Sequence, residues 1–212
     1  MENKKNITIA CAGCAGSGKT KTLELLLSYL LSPSAELLIS PEEASLVLQW
    51  IKESKGKYDR FHPLVDPYAF QGIVTSRQLI SESRLAAKAA SSDKNVVLTL
   101  VDRGISDAFT YLPDSEVAEM LTYGPLEDSL VRYDAVLFFQ PYLSSTSTEE
   151  NNNENRYEDD EGIKALAGKT LEVWKKHSNV YYIPNFETVE EKGKYTALLL
   201  NEIVGEEVFL LD

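Results

Sequence analysis

The segment from Gly13 to Thr20 reads GCAGSGKT and matches the pattern G-x-x-x-x-G-K-[ST] at every fixed position. An apolar run at 7–12 precedes it, as expected for a strand. The leucines that follow recur at helical spacing, at Leu23, Leu26, Leu27 and Leu30. Because this pattern binds phosphate where a strand, a glycine-rich loop and a helix follow one another, the sequence predicts a nucleotide-binding loop.

The chemistry of the loop follows from its residue types. Glycine adopts backbone angles that bring several N–H groups around one phosphate, at the positive end of the following helix. Lys19 is placed to reach the β- and γ-phosphates and the Thr20 hydroxyl to ligate Mg²⁺, so ATP and Mg²⁺ are the predicted cofactors. The residues assigned to the nucleotide are Gly13, Cys14, Ala15, Gly16, Ser17, Gly18, Lys19 and Thr20.

Cys11 and Cys14 form a C-x-x-C spacing, which occurs in redox pairs and in halves of zinc sites. The chain has 2 cysteines in all, so no second pair completes a metal site, and Cys14 lies inside the predicted phosphate loop. We therefore interpret both cysteines as small residues in a tight corner between strand and loop.

Size and charge limit the classes of partner. A length of 212 residues suits one α/β domain, so we expect a single domain over 1–212. The 33 acidic and 21 basic residues give a net charge of −12, which would repel a nucleic acid. No apolar run has the length of an export signal or a membrane span. We expect a cytoplasmic protein without nucleic-acid or membrane partners.

Four further apolar segments are typical of strands, at 36–40, 96–102, 135–139 and 180–184. Segments with helical periodicity lie between and after them, notably at 68–90 and 189–204. The segment 96–102 is apolar along most of its length and ends in an acid, as expected for a central parallel strand buried on both faces. The alternation predicts a three-layer α/β/α sandwich around a five-stranded parallel sheet.

Two further motifs follow the loop in order. Asp102-Arg103-Gly104-Ile105-Ser106-Asp107 comes directly after the predicted central strand, and Arg156-Tyr157-Glu158 lies in a polar, acidic segment after the fourth strand. Together with the loop, they resemble the P-loop nucleoside and nucleotide kinases, a group that includes thymidylate kinase and the deoxynucleoside kinases. The two motifs look like signatures of ATP-binding domains related to bacterial nicotinamide riboside kinase. The resemblance implies a P-loop NTPase fold with a lid insertion, here at about 141–161.

Phosphoryl transfer needs positioning and charge neutralisation, which gives Asp102 and Arg103 roles. At a strand end beside the loop, Asp102 can hold Mg²⁺ through water or accept the proton of an attacking hydroxyl. Arg103 can bind an acceptor oxygen or the transferring phosphoryl group, and Asp107 can orient that arginine. The alternative is a helix-capping aspartate with a structural ion pair.

The resemblance also places Arg156 in the lid over the ATP phosphates. An arginine that closes over the γ-phosphate would stabilise the transition state and exclude water, so Arg156 is a predicted catalytic residue. The alternative is a solvated acidic loop that contains an arginine by chance, because seven acids crowd the same segment: Glu149, Glu150, Glu154, Glu158, Asp159, Asp160 and Glu161.

The acceptor is expected across the strand ends, beside the exit of the second strand. Related kinases often have an acid there that binds or deprotonates the acceptor hydroxyl, which suggests Glu42 or Glu43, and we assign Glu43. Relatives tend to have an acid, an alanine and an arginine, whereas this chain has Ser45 in place of the arginine. The other residues assigned to the acceptor are Tyr68, Phe70, Gln71 and Arg77. Aromatic residues on a helix also serve as core, and this second interpretation stays open for Tyr68 and Phe70.

The sequence therefore predicts ATP- and Mg²⁺-dependent phosphoryl transfer to a small nucleoside, nucleotide or related metabolite. The alternative is a regulatory ATPase, or nucleotide-dependent switch, that acts through a protein partner. Apolar residues in the segment 58–80 would suit a pocket or an interface, which leaves a homodimer open.

Overall fold

A parallel sheet forms the centre of the protein. The computed structural model describes residues 4–141 and 160–211. Within these ranges the strands are β1 (Lys5–Ala12), β2 (Ala35–Ser40), β3 (Val96–Asp102), β4 (Ala135–Phe139) and β5 (Val180–Ile183). They lie in the order β2-β3-β1-β4-β5, and every neighbouring pair is parallel. The predicted five-stranded parallel sheet is thereby confirmed.

Helices connect the strands, as parallel neighbours require. Their bounds are α1 (Lys19–Leu26), α2 (Glu43–Glu53), α3 (Pro67–Ser91), α4 (Ala108–Tyr111), α5 (Ser115–Thr122), α6 (Leu126–Leu130), α7 (Asp160–Trp174) and α8 (Val189–Val204), with short 3₁₀ turns at Asp59–Phe61 and Ile105–Asp107. The two long helices begin where local chemistry favours it. The Asp66 carboxylate caps α3 ahead of Pro67, and Thr188 and Glu191 form a capping box on α8. In the described ranges, no helix combines the length and apolar character needed to cross a membrane.

The core has two halves, one on each face of the sheet. The half under α1 and α8 includes Ile9, Leu26, Leu98, Leu137 and Leu200. The half under α6 and α7 includes Ala10, Leu130, Val136, Val173 and Trp174. Because successive side chains of a strand point to opposite faces, the neighbours Ile9 and Ala10 belong to different halves. The arrangement is the predicted three-layer α/β/α sandwich.

The first helix is shorter than the spacing of its leucines indicates. The helix α1 ends at Leu26, and the side chains of Leu27 and Leu30 are 60% and 69% exposed. The backbone N–H of Ser28 and its hydroxyl both donate to the carbonyl of Leu25, at 2.9 and 2.6 Å, which closes a turn there. A serine side chain that donates to a backbone carbonyl competes with the hydrogen bonds of the helix. The spacing of the leucines alone therefore predicted the end of α1 too late in the sequence.

We predict that Gly104→Ala destabilises the fold because the space beside Gly104 is already filled. A Cβ atom at this position would lie 2.6 Å from Cη2 of Trp174 and 2.6 Å from the hydroxyl oxygen of Tyr133, and both rings are buried. Overpacking of this kind costs about 1–3 kcal/mol. Urea unfolding of the variant should show that loss.

The matched control is Gly168→Ala in α7, where an added Cβ meets no atom within 4 Å. Alanine is favoured over glycine inside a helix by roughly 0.5–1 kcal/mol, so this variant should be as stable as wild type or more stable. Equal stability of the Gly104→Ala variant and wild type would contradict the packing argument.

Candidate active site

The loop between β1 and α1 has the backbone that the glycine pattern predicts. Gly13, Gly16 and Gly18 have φ angles of 141°, 76° and 84°, in the region that favours glycine. At Gly13 the space is also restricted, since a Cβ atom there would lie 2.7 Å from the carbonyl oxygen of Phe139. The loop therefore depends on glycine for both its conformation and its close approach to β4.

Lys19 opens α1 and turns its amino group back into the loop. The group is buried and donates to the carbonyl oxygens of Gly13 at 2.9 Å and Cys14 at 3.0 Å. A cation is thus held among the loop residues at the N-terminus of a helix, where both charge and dipole attract an anion.

The two cysteines are buried parts of this corner. Burial, together with the charge of Asp102, raises the pKa of the Cys11 thiol well above its usual range, so that thiol stays protonated. Cys14 packs against Ala167 of α7. Among the described residues, no group of three or more His, Cys, Asp or Glu side chains could hold a metal ion. The interpretation of the cysteines as small structural residues agrees with these positions.

Asp102, the last residue of β3, joins the loop to two strands. The Thr20 hydroxyl donates to its Oδ2 atom at 2.9 Å, and its own backbone N–H donates to the Ser40 hydroxyl of β2 at 2.9 Å. The carboxyl is buried, and its Oδ1 atom accepts no hydrogen bond from the described residues. Burial raises the pKa of Asp102, against the charge of Lys19.

These oxygens fit a magnesium ion. Mg²⁺ takes oxygen ligands and is usually held by one or two carboxylates together with water and substrate phosphates. The Thr20 hydroxyl and the Asp102 carboxylate lie in contact, and the buried Oδ1 atom of Asp102 has capacity for a ligand. Nucleotide phosphates would have to supply further ligands, and the assignment of Thr20 and Asp102 to the metal stays a prediction.

Arg103 is held in a buried polar cluster next to Asp102. Its backbone has a φ of 64°, which is uncommon for a residue with a side chain and occurs often at functional sites. Its Nε atom donates to Oε1 of Glu42 at 2.7 Å, and its Nη1 atom donates to the Tyr111 hydroxyl. Burial raises the pKa of Tyr111 to about 12, so its hydroxyl is neutral at physiological pH.

Asp107 provides a second carboxylate for Arg103. The indole N–H of Trp174 donates to Oδ1 of Asp107 at 2.6 Å and fixes the carboxyl. Its Oδ2 atom lies 3.9 Å from Nη1 of Arg103 and accepts no hydrogen bond from the described residues. This is the orienting position that the sequence suggested for Asp107.

On the acceptor side, Glu42 is the acid that faces Arg103, and Glu43 is not. Besides the guanidinium of Arg103, Glu42 accepts a hydrogen bond from the Ser45 hydroxyl at 2.6 Å. Burial disfavours its charge, but Arg103, Lys19 and Ser45 outweigh that effect and lower the pKa of Glu42 to about 2. Glu43 instead pairs with Nε of Arg77 on α3, at 2.7 Å.

The remaining assigned residues lie farther along α3 or outside the described ranges. Phe70 is buried against Val47 and Ile51 between α2 and α3, and Gln71 beside it is also buried. Tyr68 is 40% exposed. The roles of these residues, and of Glu43 and Arg77, stay predictions. Arg156 and most of the predicted lid lie outside the described residues.

Sequence reasoning missed several residues of this cluster. Ser40 ends β2, and its polarity after an apolar run was a usable signal once β2 was known to lie beside β3, whereas the sequence offered Glu42 only as the alternative to Glu43. Tyr111 and Lys192 gave no local signal. Lys192, on α8, donates from its amino group to the carbonyl oxygen of Ser17 in the loop, at 3.0 Å.

We predict that Glu42 contributes stability that is lost in acid. Its pKa is about 2 in the folded chain against an ordinary 4.5, so the stabilisation is complete above about 4.5 and disappears as the pH falls toward 2. That difference corresponds to about 3 kcal/mol. Denaturant unfolding of wild type and Glu42→Gln should show a gap near this size at pH 6 that shrinks by about half at pH 3.

The charge of Glu42 contributes to the raised pKa values of Asp102 and Asp107, which act in the opposite direction, so Glu42→Gln also lowers those two pKa values. The readout is therefore the fall of the gap between pH 6 and pH 3, and its absolute size at pH 6 can be smaller than about 3 kcal/mol. Glu172→Gln is the control, because it removes an exposed ion pair with Lys175, which should contribute at most about 1 kcal/mol. A gap between wild type and Glu42→Gln that stays constant from pH 6 to pH 3 would rule out the ionised pair.

Comparison with solved structures identifies the fold. The chain is similar to NadR protein in complex with NR (TM-score 0.58, 17% identity) and to NadR protein in complex with NAD and AMP-PNP (TM-score 0.58, 15% identity). Each comparison covers 98% of this chain but 52% of the NadR chain, so the chain spans about half the length of NadR. Thymidylate kinase from Ehrlichia chaffeensis is similar over 92% of this chain and 98% of its own (TM-score 0.56, 15% identity).

Comparison with curated protein sequences gives no match. A family model described as an AAA domain matches residues 8–192, which include the loop, most of β1, the other four strands and the first turn of α8. Since that match extends over most of the chain and the fold is that of the P-loop nucleotide kinases, the chain belongs to this AAA-domain family of P-loop proteins.

Proposed function

We propose that the protein transfers a phosphoryl group from ATP, with Mg²⁺, to a small nucleoside, nucleotide or related metabolite. One observation carries the proposal: the loop, through the hydrogen bond from Thr20 to Asp102, adjoins the partly buried pair of Arg103 and Glu42. Phosphate-binding groups and a positioned arginine–carboxylate pair thus meet at the carboxyl edge of the sheet. Ligands of open α/β folds bind at this edge.

On the donor side, the loop residues 13–20 would bind the ATP phosphates through backbone N–H groups and Lys19. Thr20 and Asp102 would hold Mg²⁺, which supplies charge neutralisation at the β- and γ-phosphate oxygens. The guanidinium of Arg103 is planar and always charged, so it suits a phosphoryl group as that group moves between oxygens.

On the acceptor side, the carboxylates differ in what they can do. Glu42, with a pKa of about 2, is a weak base that stays ionised and can accept a hydrogen bond from an acceptor hydroxyl. The pKa of Asp102 is raised by burial, so Asp102 is the stronger base. Its Oδ1 atom can accept a hydrogen bond from the acceptor hydroxyl or from a metal-bound water. Glu43, which the sequence left as the alternative base to Asp102, forms an ion pair with Arg77.

The other expectations complete the proposal. Arg156 would close over the γ-phosphate from the lid, and Tyr68, Phe70, Gln71 and Arg77 would form the wall of the acceptor pocket. The proposal also includes a single domain, a cytoplasmic location and no nucleic-acid or membrane partner, and for these composition is the support. The homodimer stays open.

The acceptor panel can be chosen from the similar proteins. NadR has been crystallised with NR, and another similar protein is a thymidylate kinase. Nucleosides, nucleoside monophosphates, nicotinamide riboside and pantothenate-like metabolites should therefore be tested with ATP and Mg²⁺. ATP consumption and the phosphorylated product should be measured together.

We predict that one acceptor raises ATP turnover well above the rate with water. Lys19→Ala and Asp102→Asn should each lower that turnover by about 100-fold or more, because each removes a charge that stabilises the transferring phosphoryl group or its metal. Lys175→Ala is the matched control, since it removes an exposed lysine far from the loop in sequence. If ATP binds but no acceptor stimulates turnover, the regulatory ATPase becomes the better assignment.

A further inference from the structure

We propose that Lys192 of α8 is a positioning residue for the phosphate loop. Its amino group fixes the peptide between Ser17 and Gly18, so that the N–H of Gly18 faces the nucleotide phosphate. The inference rests on the proposed binding of nucleotide at this loop, and it adds a group that lies outside the loop motif.

Lys192 is a buried cation. The residue is 1% exposed and lies in the first turn of α8, and its amino group makes a cation–π contact with Phe139, 6.0 Å from the ring centre, which offsets part of the cost of burial. Burial, with a smaller contribution from the charge of Lys19, lowers its pKa to about 8. A positive group is also disfavoured near the positive end of a helix. The fold therefore holds this lysine in a costly position.

Close packing of two helices brings Lys192 to the loop. A Cβ atom on the next residue, Gly193, would lie 2.5 Å from Cδ2 of Leu25 and 2.9 Å from the Tyr29 hydroxyl, both in or just after α1. Glycine at this position thus lets α8 approach α1, which begins directly after the loop. Since the backbones approach so closely, the lysine reaches the carbonyl oxygen of Ser17 at 3.0 Å.

The hydrogen bond determines the direction of one peptide. In a planar trans peptide the C=O and N–H groups point in opposite directions. With the carbonyl of Ser17 directed toward α8, the N–H of Gly18 points away from α8. The φ of 84° at Gly18 then leads directly into the first residue of α1.

Ser17 is also held from the other side. The amino group of Lys19 lies 3.3 Å from the Ser17 hydroxyl. Two lysines therefore fix this residue, one through its side chain and one through its carbonyl. An N–H group that is already oriented binds phosphate without a further cost in ordering the loop.

The test separates phosphate affinity from stability. Dissociation constants for ATP with Mg²⁺, and for inorganic tripolyphosphate as a base-free probe, should be measured by calorimetry alongside thermal unfolding. We expect Lys192→Met to weaken both ligands by about 10-fold or more, and Lys192→Arg, which keeps a charged donor, to restore much of that loss. Wild-type affinity in Lys192→Met would overturn the proposal.

Thr196→Val is the matched control on the same helix. The Thr196 hydroxyl is buried and donates to the backbone carbonyl of Lys192 at 2.7 Å, away from the loop. The variant should lose stability but change affinity for tripolyphosphate less than about 2-fold. If Thr196→Val and Lys192→Met lose affinity equally, Lys192 acts only through the stability of α8 and the proposal falls.

Two further variants make the outcome decisive. If Lys192→Met does not fold, Lys192→Gln removes the charge while it keeps a polar group, and wild-type affinity in this variant overturns the proposal equally. Lys19→Ala should abolish tripolyphosphate binding, and if it does not, the loop is not the site and both proposals fail. The binding measurements use no phosphate acceptor. Their outcome therefore does not depend on whether phosphoryl transfer to an acceptor is found.

Discussion

The parallel register of β3 between β1 and β2 is the constraint on which the site depends. It sets Cys11 opposite Asp102 and Ser40 opposite Val101, so the three strands end at one level. Three contacts then fix the edge: the Ser40 hydroxyl accepts from the N–H of Asp102, the carbonyl of Cys11 accepts from the N–H of Arg103, and Thr20 donates to Asp102. A slip of one residue in β3 would turn the carboxylate of Asp102 to the opposite face of the sheet.

The site also shows how a local cluster can overcome the charge of the whole chain. The net charge is −12, yet the loop edge gathers the buried cations Lys19, Arg103 and Lys192. Arg103 is balanced by Glu42, with Asp107 nearby, whereas Lys19 and Lys192 both donate to carbonyl oxygens of the loop. The two lysines thus lie at the loop, and the two carboxylates lie beside Arg103. This division favours a nucleotide whose phosphates lie over the loop.

Features that depend on residues close together in the chain could be predicted from sequence, and contacts between distant residues could not. The loop, the strands and the long helices depend on residues close in sequence, and their placement agrees with the structure to within one or two residues. The sequence did not separate Glu42 from Glu43, because neighbouring residues at a helix start point in different directions. Only the structure shows that Glu42 pairs with Arg103 and Glu43 with Arg77. The contact from Lys192 to Ser17 joins residues 175 positions apart. No local sequence pattern encodes a contact between residues so far apart in the chain. The contact depends on the close packing of α8 against α1 at Gly193.

The helix α7 contacts both the loop at 13–20 and the cluster around Arg103, which the sequence motifs do not indicate. Near its middle, Ala167 packs on Cys14 of the phosphate loop, and at its end the indole of Trp174 holds Asp107 beside Arg103. The ring of Trp174 also fills the space beside Gly104, so the backbone at Arg103 is fixed by the same side chain. The helix directly follows the predicted lid in sequence. Any displacement of α7 along its axis would therefore disturb the packing behind the loop and the carboxylate that faces Arg103 together. The loop and the cluster around Arg103 therefore share one support, the helix α7.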